Sequence, residues 1–363
     1  MERSKDPGMK NKGAAIVGCL GLILLILACS GARVGAEARI DLEEVASDSD
    51  FSFQGEYAGS VKRDHDVEAE TTGLQVVALG DARFRARLFR GGLPGEPGGP
   101  QEGEFGVSLE GTYRDGELVL AGGDGIRLRY DDGRFASLDA ADRVPGHLEP
   151  VNRESPTQGL APPDGAVVLF DGSDLEKWTD SARMDERGRL VEGATTADEY
   201  GDIRLHVEAK LGFMPNARDQ RRANSGIYIQ NRYEVQILDS FGLPPAPNGN
   251  ASLYQVSAPS VNASYPPLSW QTYDVFFRAP RFDDAGEKTE NARVTVFLNG
   301  VRVQDDVELE GGTGRGGLRR EVARAELYLQ SHTGPVRFRN VWLVEGEVDP
   351  PDTPYLNPSR RNG

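Results

Sequence analysis

Cysteine is almost absent from this 363-residue sequence: its two cysteines, Cys19 and Cys29, both precede residue 31. Nothing beyond them can be cross-linked, so a disulfide-stapled scaffold is excluded. Histidine is equally sparse. His65, His147, His206 and His332 stand far apart, so no local HxH or HxxxH zinc pair can form. Clustered positive charge is missing too. The 41 Lys and Arg face 57 Asp and Glu, a formal charge of −16. Without a basic stretch, neither nucleic-acid binding nor a polybasic membrane surface is expected. No GxSxG elbow of a serine hydrolase occurs. Residues Gly312 to Gly317 do spell GxGxxG. The dinucleotide fingerprint, however, needs a strand before it, a helix after it and a βαβ unit around it, so no nucleotide cofactor is expected.

What remains is globular. Gly and Pro number 44 and 22, too few for a low-complexity chain, and the length suggests about two domains. Arg3, Lys5, Lys10 and Lys12 precede an apolar run from Ala14 to Ala28, which reads as a secretory signal over residues 1–28. Ile26-Leu27-Ala28-Cys29 resembles a bacterial lipobox, in which the cysteine is diacylated. That resemblance implies an exported periplasmic or cell-surface lipoprotein, anchored at Cys29. Ser30 after the cysteine implies the outer membrane. The alternative is an uncleaved anchor over Gly13–Ala32, about 20 residues and just enough to span.

Residues 29–50 read as an acidic tether. From 51 to 148 short strands alternate with glycine turns, predicting a small antiparallel β module. In RFRARLF, Phe84, Ala86 and Leu88 share one face and Arg83, Arg85 and Arg87 the other. Residues 149–166 carry Pro150, Pro156, Pro162 and Pro163 and read as an interdomain linker, open to proteases. From 167 to 345 about nine strand candidates follow without helical periodicity, and Asn299-Gly300 marks a hairpin. The expectation is an all-β chain whose second domain is a jelly-roll or sandwich. Residues 346–363 read as a flexible tail.

One stretch carries candidate chemistry: Asn224-Ser-Gly-Ile-Tyr-Ile-Gln-Asn-Arg-Tyr-Glu-Val-Gln-Ile-Leu-Asp-Ser240. It reads as two strands joined by a turn at Asn231-Arg232. Tyr228 and Gln230 then share a face with Glu234 and Gln236, opposite Ile227 and Ile229. Tyrosine, amides and one carboxylate are what a sugar cleft needs. A plain solvated face would more often carry Lys, Thr and Arg.

These residues sit in an ordered series: VVLFDGSDLEKW (167–178), NSGIYIQNRYEVQILDS (224–240), ASLYQVSAPSVNAS (251–264), WQTYDVFFRAPRFD (270–283), VTVFLNGVRV (294–303) and LYLQSHTGPVRFRNVWL (327–343). The series resembles the 3-keto-disaccharide hydrolase (DUF1080) family. The resemblance implies a concanavalin-A-like jelly-roll sandwich and a glycoside substrate. It also implies a chemistry: a 3-keto group acidifies the C2 hydrogen, a base removes it, the C1 substituent leaves, and water adds to the resulting glucal. In these terms Glu234 is the base or a metal ligand, and His332 an acid/base or metal ligand. Asp239 is a ligand or orienting carboxylate. Asn224, Tyr228, Gln236 and Tyr254 hold hydroxyls, and a divalent metal ion at Glu234 and His332 is one admissible arrangement. Relatives often place Asp where this chain has Ser331. The rival expectation is a non-catalytic carbohydrate-binding or cell-surface interaction module on the same fold.

Overall fold

The computed structural model describes residues 39–61, 70–314, 316 and 319–351, all within one compact unit. The expected signal peptide and Cys29 lie outside these residues. Among them no helix is long and apolar enough to cross a membrane.

The first module is a closed antiparallel barrel. Its strands are β1 (Gly55–Val61), β2 (Glu70–Ala78), β3 (Arg83–Arg90), β4 (Val107–Arg114), β5 (Glu117–Gly122), β6 (Arg127–Asp131), β7 (Arg134–Leu138) and β8 (Gly146–Val151). Each pairs with the next, and β8 returns to β1. Closure leaves no open sheet edge. Phe84, Ala86 and Leu88 of β3 point into the core as their alternation requires, and all three are buried. Phe53 plugs one end, its ring 5.2, 5.0 and 4.8 Å from those of Phe84, Tyr113 and Tyr130. The module reaches past the expected boundary at 148, because Glu149 and Pro150 pair with Ala58 and Tyr57.

The second module is a sandwich. Its strands are β9 (Val167–Phe170), β10 (Leu190–Val191), β11 (Ala194–Thr195), β12 (Ile203–Leu211), β13 (Asn224–Ile229), β14 (Tyr233–Leu238), β15 (Trp270–Arg278), β16 (Arg281–Phe282), β17 (Lys288–Glu290), β18 (Ala292–Leu298), β19 (Val301–Leu309), β20 (Tyr328–Leu329) and β21 (Val336–Glu345). The larger sheet runs β10-β21-β12-β15-β18-β19 with β9 also on β21, and the smaller runs β11-β20-β13-β14. Leu205, Val207, Val275, Phe277 and Phe338 of the larger sheet meet Ile227, Ile229, Val235, Ile237 and Leu329 of the smaller. Each such buried side chain contributes about 1.5–3 kcal/mol. The β18–β19 hairpin turns at Asn299-Gly300, both with positive φ, as a two-residue turn of that type requires.

Two segments read as loose connections are docked. In the acidic stretch, Arg39 pairs backbone to backbone with Phe213, and Asp41 takes two bonds from Arg189 at 2.6 and 3.1 Å. Val45 of the short helix Leu42–Val45 is buried in the barrel's core. One apolar side chain among many acids gave too little periodicity to show this. The proline-rich stretch is corrected too. Its middle is a strap laid across the outer face of the larger sheet. Ser155 and Thr157 are buried, and Thr157 Oγ1 donates to Asp274 Oδ2 at 2.9 Å. The Gly159 N–H bonds Glu208 Oε1 at 2.5 Å, and the Leu160 carbonyl accepts from Asn340 and Trp342.

Beneath the strap lies a buried charged group. His206 Nδ1 meets Asp274 Oδ1 at 2.7 Å, its Nε2 lies 3.6 Å from Glu208 Oε1, and its ring stacks on Trp342 at 5.0 Å. Burial pulls the imidazole pKa down, but Asp274 and Glu208 outweigh it and hold it at about 9. Burial pushes Glu208 up. Bonds from His206, Asn340, Gly159 and Arg339 prevail and hold it at about 2. Past β21, Glu347 pairs with Arg204 and the Pro351 carbonyl accepts from Arg302, so the first residues of the expected tail are also docked.

Candidate functional site

The polar face foreseen on β13 and β14 is real and wider than two strands. Thr195 of β11 stands directly opposite Tyr328 of β20, Tyr328 opposite Tyr228 of β13, and Tyr228 opposite Glu234 of β14. One row thus crosses all four strands of the smaller sheet. The next row holds Gln330, Gly226 and Gln236: the Gln330 N–H bonds the Gly226 carbonyl, and Gly226 pairs with Gln236.

Glu234 is 3% exposed. Burial pushes its carboxyl up to about 7, against the pull of a 2.7 Å bond donated by the Tyr228 hydroxyl to Oε2. Two glycines make room for that carboxylate. A Cβ at Gly226 would lie 2.6 Å from Glu234 Oε1, so only glycine leaves the space. At Gly314 φ is +50°, and a Cβ would sit 3.0 Å from the Tyr254 ring and 3.1 Å from Glu234 Oε2. The preceding Thr313 is buried, and its Oγ1 accepts the Glu234 N–H at 2.7 Å. Thr313 and Gly314 of the GxGxxG segment therefore help to seat the carboxylate. The structural context had excluded a nucleotide loop but offered no other role.

Beside this row opens a cavity of about 430 Å³ lined by Thr195, Tyr228, Asn231, Tyr328, Gln330, Gly316 and Arg319. Among the described residues, Arg319 has no carboxylate partner. Tyr228 lines the cavity, and Glu234, bonded to its hydroxyl, does not. Sequence reading missed Tyr328, Gln330, Thr313 and Arg319. The alternation Tyr328, Gln330 within LYLQS was the available signal.

The remaining candidates divide. Gln236 sits two residues from Glu234 and donates from Nε2 to Gln220 Oε1 at 3.0 Å. Tyr254 lies alongside, its N–H on the Glu234 carbonyl at 3.1 Å. Asn224 bonds Gln220 through Nδ2 and stands four residues from Tyr228, roughly 13 Å along the strand. His332 is exposed, its Nδ1 2.8 Å from Thr333 Oγ1, and Thr333 bridges to Asn224 at that far end. Gln230 is not on the polar face. With φ +51° it begins the turn, and its Nε2 bonds the Tyr200 and Ala323 carbonyls.

Asp239 is also corrected. It is buried in an ion pair with Arg222, 2.7 Å between Nη2 and Oδ2, where Arg222 also reaches the Ala78 carbonyl of the barrel. Arg222→Met should cost about 3–5 kcal/mol in urea unfolding, because it strands a buried carboxylate. Adding Asp239→Leu should recover most of that loss. Failure of the second change to recover stability would deny the pair this role. A divalent ion held by Glu234 and His332 does not fit, since the structure does not bring the two together. Among the described residues no three His, Cys, Asp or Glu side chains gather as a metal site.

Residues 165–344 match the sequence profile of the 3-keto-alpha-glucoside-1,2-lyase-like domain. Two crystal structures of candidate glycosyl hydrolases from Parabacteroides distasonis are similar to this chain. One is 31% identical, spanning 54% of this chain and 93% of its own, with a TM-score of 0.47. The other is 18% identical, spanning 50% and 94%, with a TM-score of 0.36. No curated protein matches. The sandwich of this chain, residues 165–344, belongs to the 3-keto-alpha-glucoside-1,2-lyase-like domain family.

Proposed function

We propose that this protein cleaves 3-keto-glycosides by elimination and hydration, with Glu234 as the proton acceptor. The observation that carries the reading is a single buried carboxyl, held near pKa 7 and hydrogen-bonded to a tyrosine on a polar cavity wall. A carboxylate of that pKa can take a proton at neutral pH and return it. The 3-keto group makes the C2 hydrogen acidic, so the proton leaves C2 for the base. The C1–O bond then breaks with its electron pair going to the aglycone oxygen, and water adds across C1=C2. Negative charge develops on the former keto oxygen, and Arg319 is a cation on the cavity wall that supplies a donor for it.

Direct glycoside hydrolysis fits less well. It uses two carboxyl groups about 5–9 Å apart, whereas among the described residues no carboxylate lines this cavity and Asp239 belongs to Arg222. The N-terminal reading adds export and a lipid anchor at Cys29. The purified protein should release nitrophenol from a nitrophenyl 3-keto-glucoside and leave the parent glucoside intact. Cleavage of both at similar rates would overturn the mechanism. Binding of sugars without cleavage of either would favour the carbohydrate-binding module.

A further inference from the structure

The row of residues that builds the site orders them in depth. Tyr228 lines the cavity; Glu234, opposite it on the neighbouring strand, does not, and both side chains are nearly sealed from solvent. The Tyr228 hydroxyl donates its proton to Glu234 Oε2 at 2.7 Å. Gln330 Nε2 lies 3.5 Å from the same phenolic oxygen, on its accepting side. Gly314 closes on Glu234 Oε2 from the Tyr254 side, and the Thr313 hydroxyl fixes the backbone of Glu234. The carboxylate is therefore pinned against the tyrosine, and the phenol is what a ligand in the cavity meets.

Resting on the proposed elimination, we infer that Tyr228 is the catalytic residue that touches the substrate, relaying the C2 proton to Glu234. In one step the C2–H bond breaks and its proton joins the Tyr228 oxygen. The phenolic proton passes to Glu234 Oε2, and the C–H electron pair flows into the enolate. The phenol begins and ends neutral. Glu234 begins ionised and ends protonated, which its pKa near 7 permits at small free-energy difference. A carboxylate acting directly would line the cavity, and here Tyr228 lines it while Glu234 does not.

The test measures proton abstraction apart from leaving-group loss. A 1-deoxy-3-keto-glucose has no C1 substituent to expel, so the protein can only exchange its C2 hydrogen with solvent deuterium. Wild-type protein should catalyse that exchange. Tyr228→Phe, which keeps the ring and removes the relay, should slow it by about 100-fold or more. The variant should stay folded but melt lower, for the missing bond to the buried carboxylate, with sugar affinity changed only a few-fold. Replacing Tyr228 by a fluorotyrosine of lower phenol pKa should restore exchange and alter its rate. Exchange by Tyr228→Phe within about fivefold of wild type would overturn the relay while leaving Glu234 as a direct base. Absence of exchange in the wild type would overturn the relay and the elimination reading together.

Discussion

Glu234→Gln is expected to lose aglycone release by a factor of about 10²–10⁴ and to yield a more stable protein. The amide keeps the shape and still accepts the Tyr228 bond, but it cannot take a proton. The stability gain follows from the raised pKa. Folded Glu234 titrates at about 7 against an ordinary 4.5, so between these values the native state binds more protons than the unfolded one. Stability therefore falls as pH rises through that window, by about 3 kcal/mol once it is passed. Glutamine escapes the loss. The variant should match wild type near pH 4 and melt several degrees higher at pH 8. Wild-type activity should rise with pH around 7 as the carboxyl ionises. A variant that retained activity, or showed no thermal gain at pH 8, would remove Glu234 from the mechanism.

Asp274→Asn should be among the most damaging single changes in the molecule. It leaves His206 and Glu208 buried without the partner that holds the imidazole charged, and it takes the acceptor from Thr157 of the strap. Breaking such a group costs about 3–5 kcal/mol. The pH dependence gives the test its shape. With His206 at about 9 in the fold and 6.5 as its ordinary value, its contribution is complete below pH 6.5 and lost as pH rises through 9. Wild-type urea midpoints should fall across that interval. The variant should start lower, vary less, and be cut faster by protease within residues 152–166. A wild-type midpoint flat between pH 6 and 10 would show that His206 is not held charged.

Sequence pattern revealed local things well. Period-two alternation placed Phe84, Ala86 and Leu88 inside the barrel, and the same rule put Tyr228, Glu234 and Gln236 on one polar face. Asn-Gly marked its hairpin. Pattern could not see which distant strands would lie side by side. Thr195 and Tyr328 entered the row only through β11 and β20, strands of two residues each, too short to carry a periodicity. The group under the strap was invisible for the same reason, since His206 and Asp274 are 68 residues apart. Burial decides where two carboxylates go. Asp239, one position past β14, is captured by Arg222, and Asp274 is taken up by the buried His206. The turn failed by one residue, because Gln230 already has positive φ.

Because β20 is two residues long, the cavity's ancestry is constrained at a single point. Tyr328 and Gln330 face the cavity only while Leu329 faces the core. A one-residue slip in that pairing would exchange the two faces. Deletions inside 327–330 should therefore be purged. Innovation in substrate preference then has to come from point changes at Thr195, Tyr328 and Gln330 or from the neighbouring loop, not from re-threading the strand.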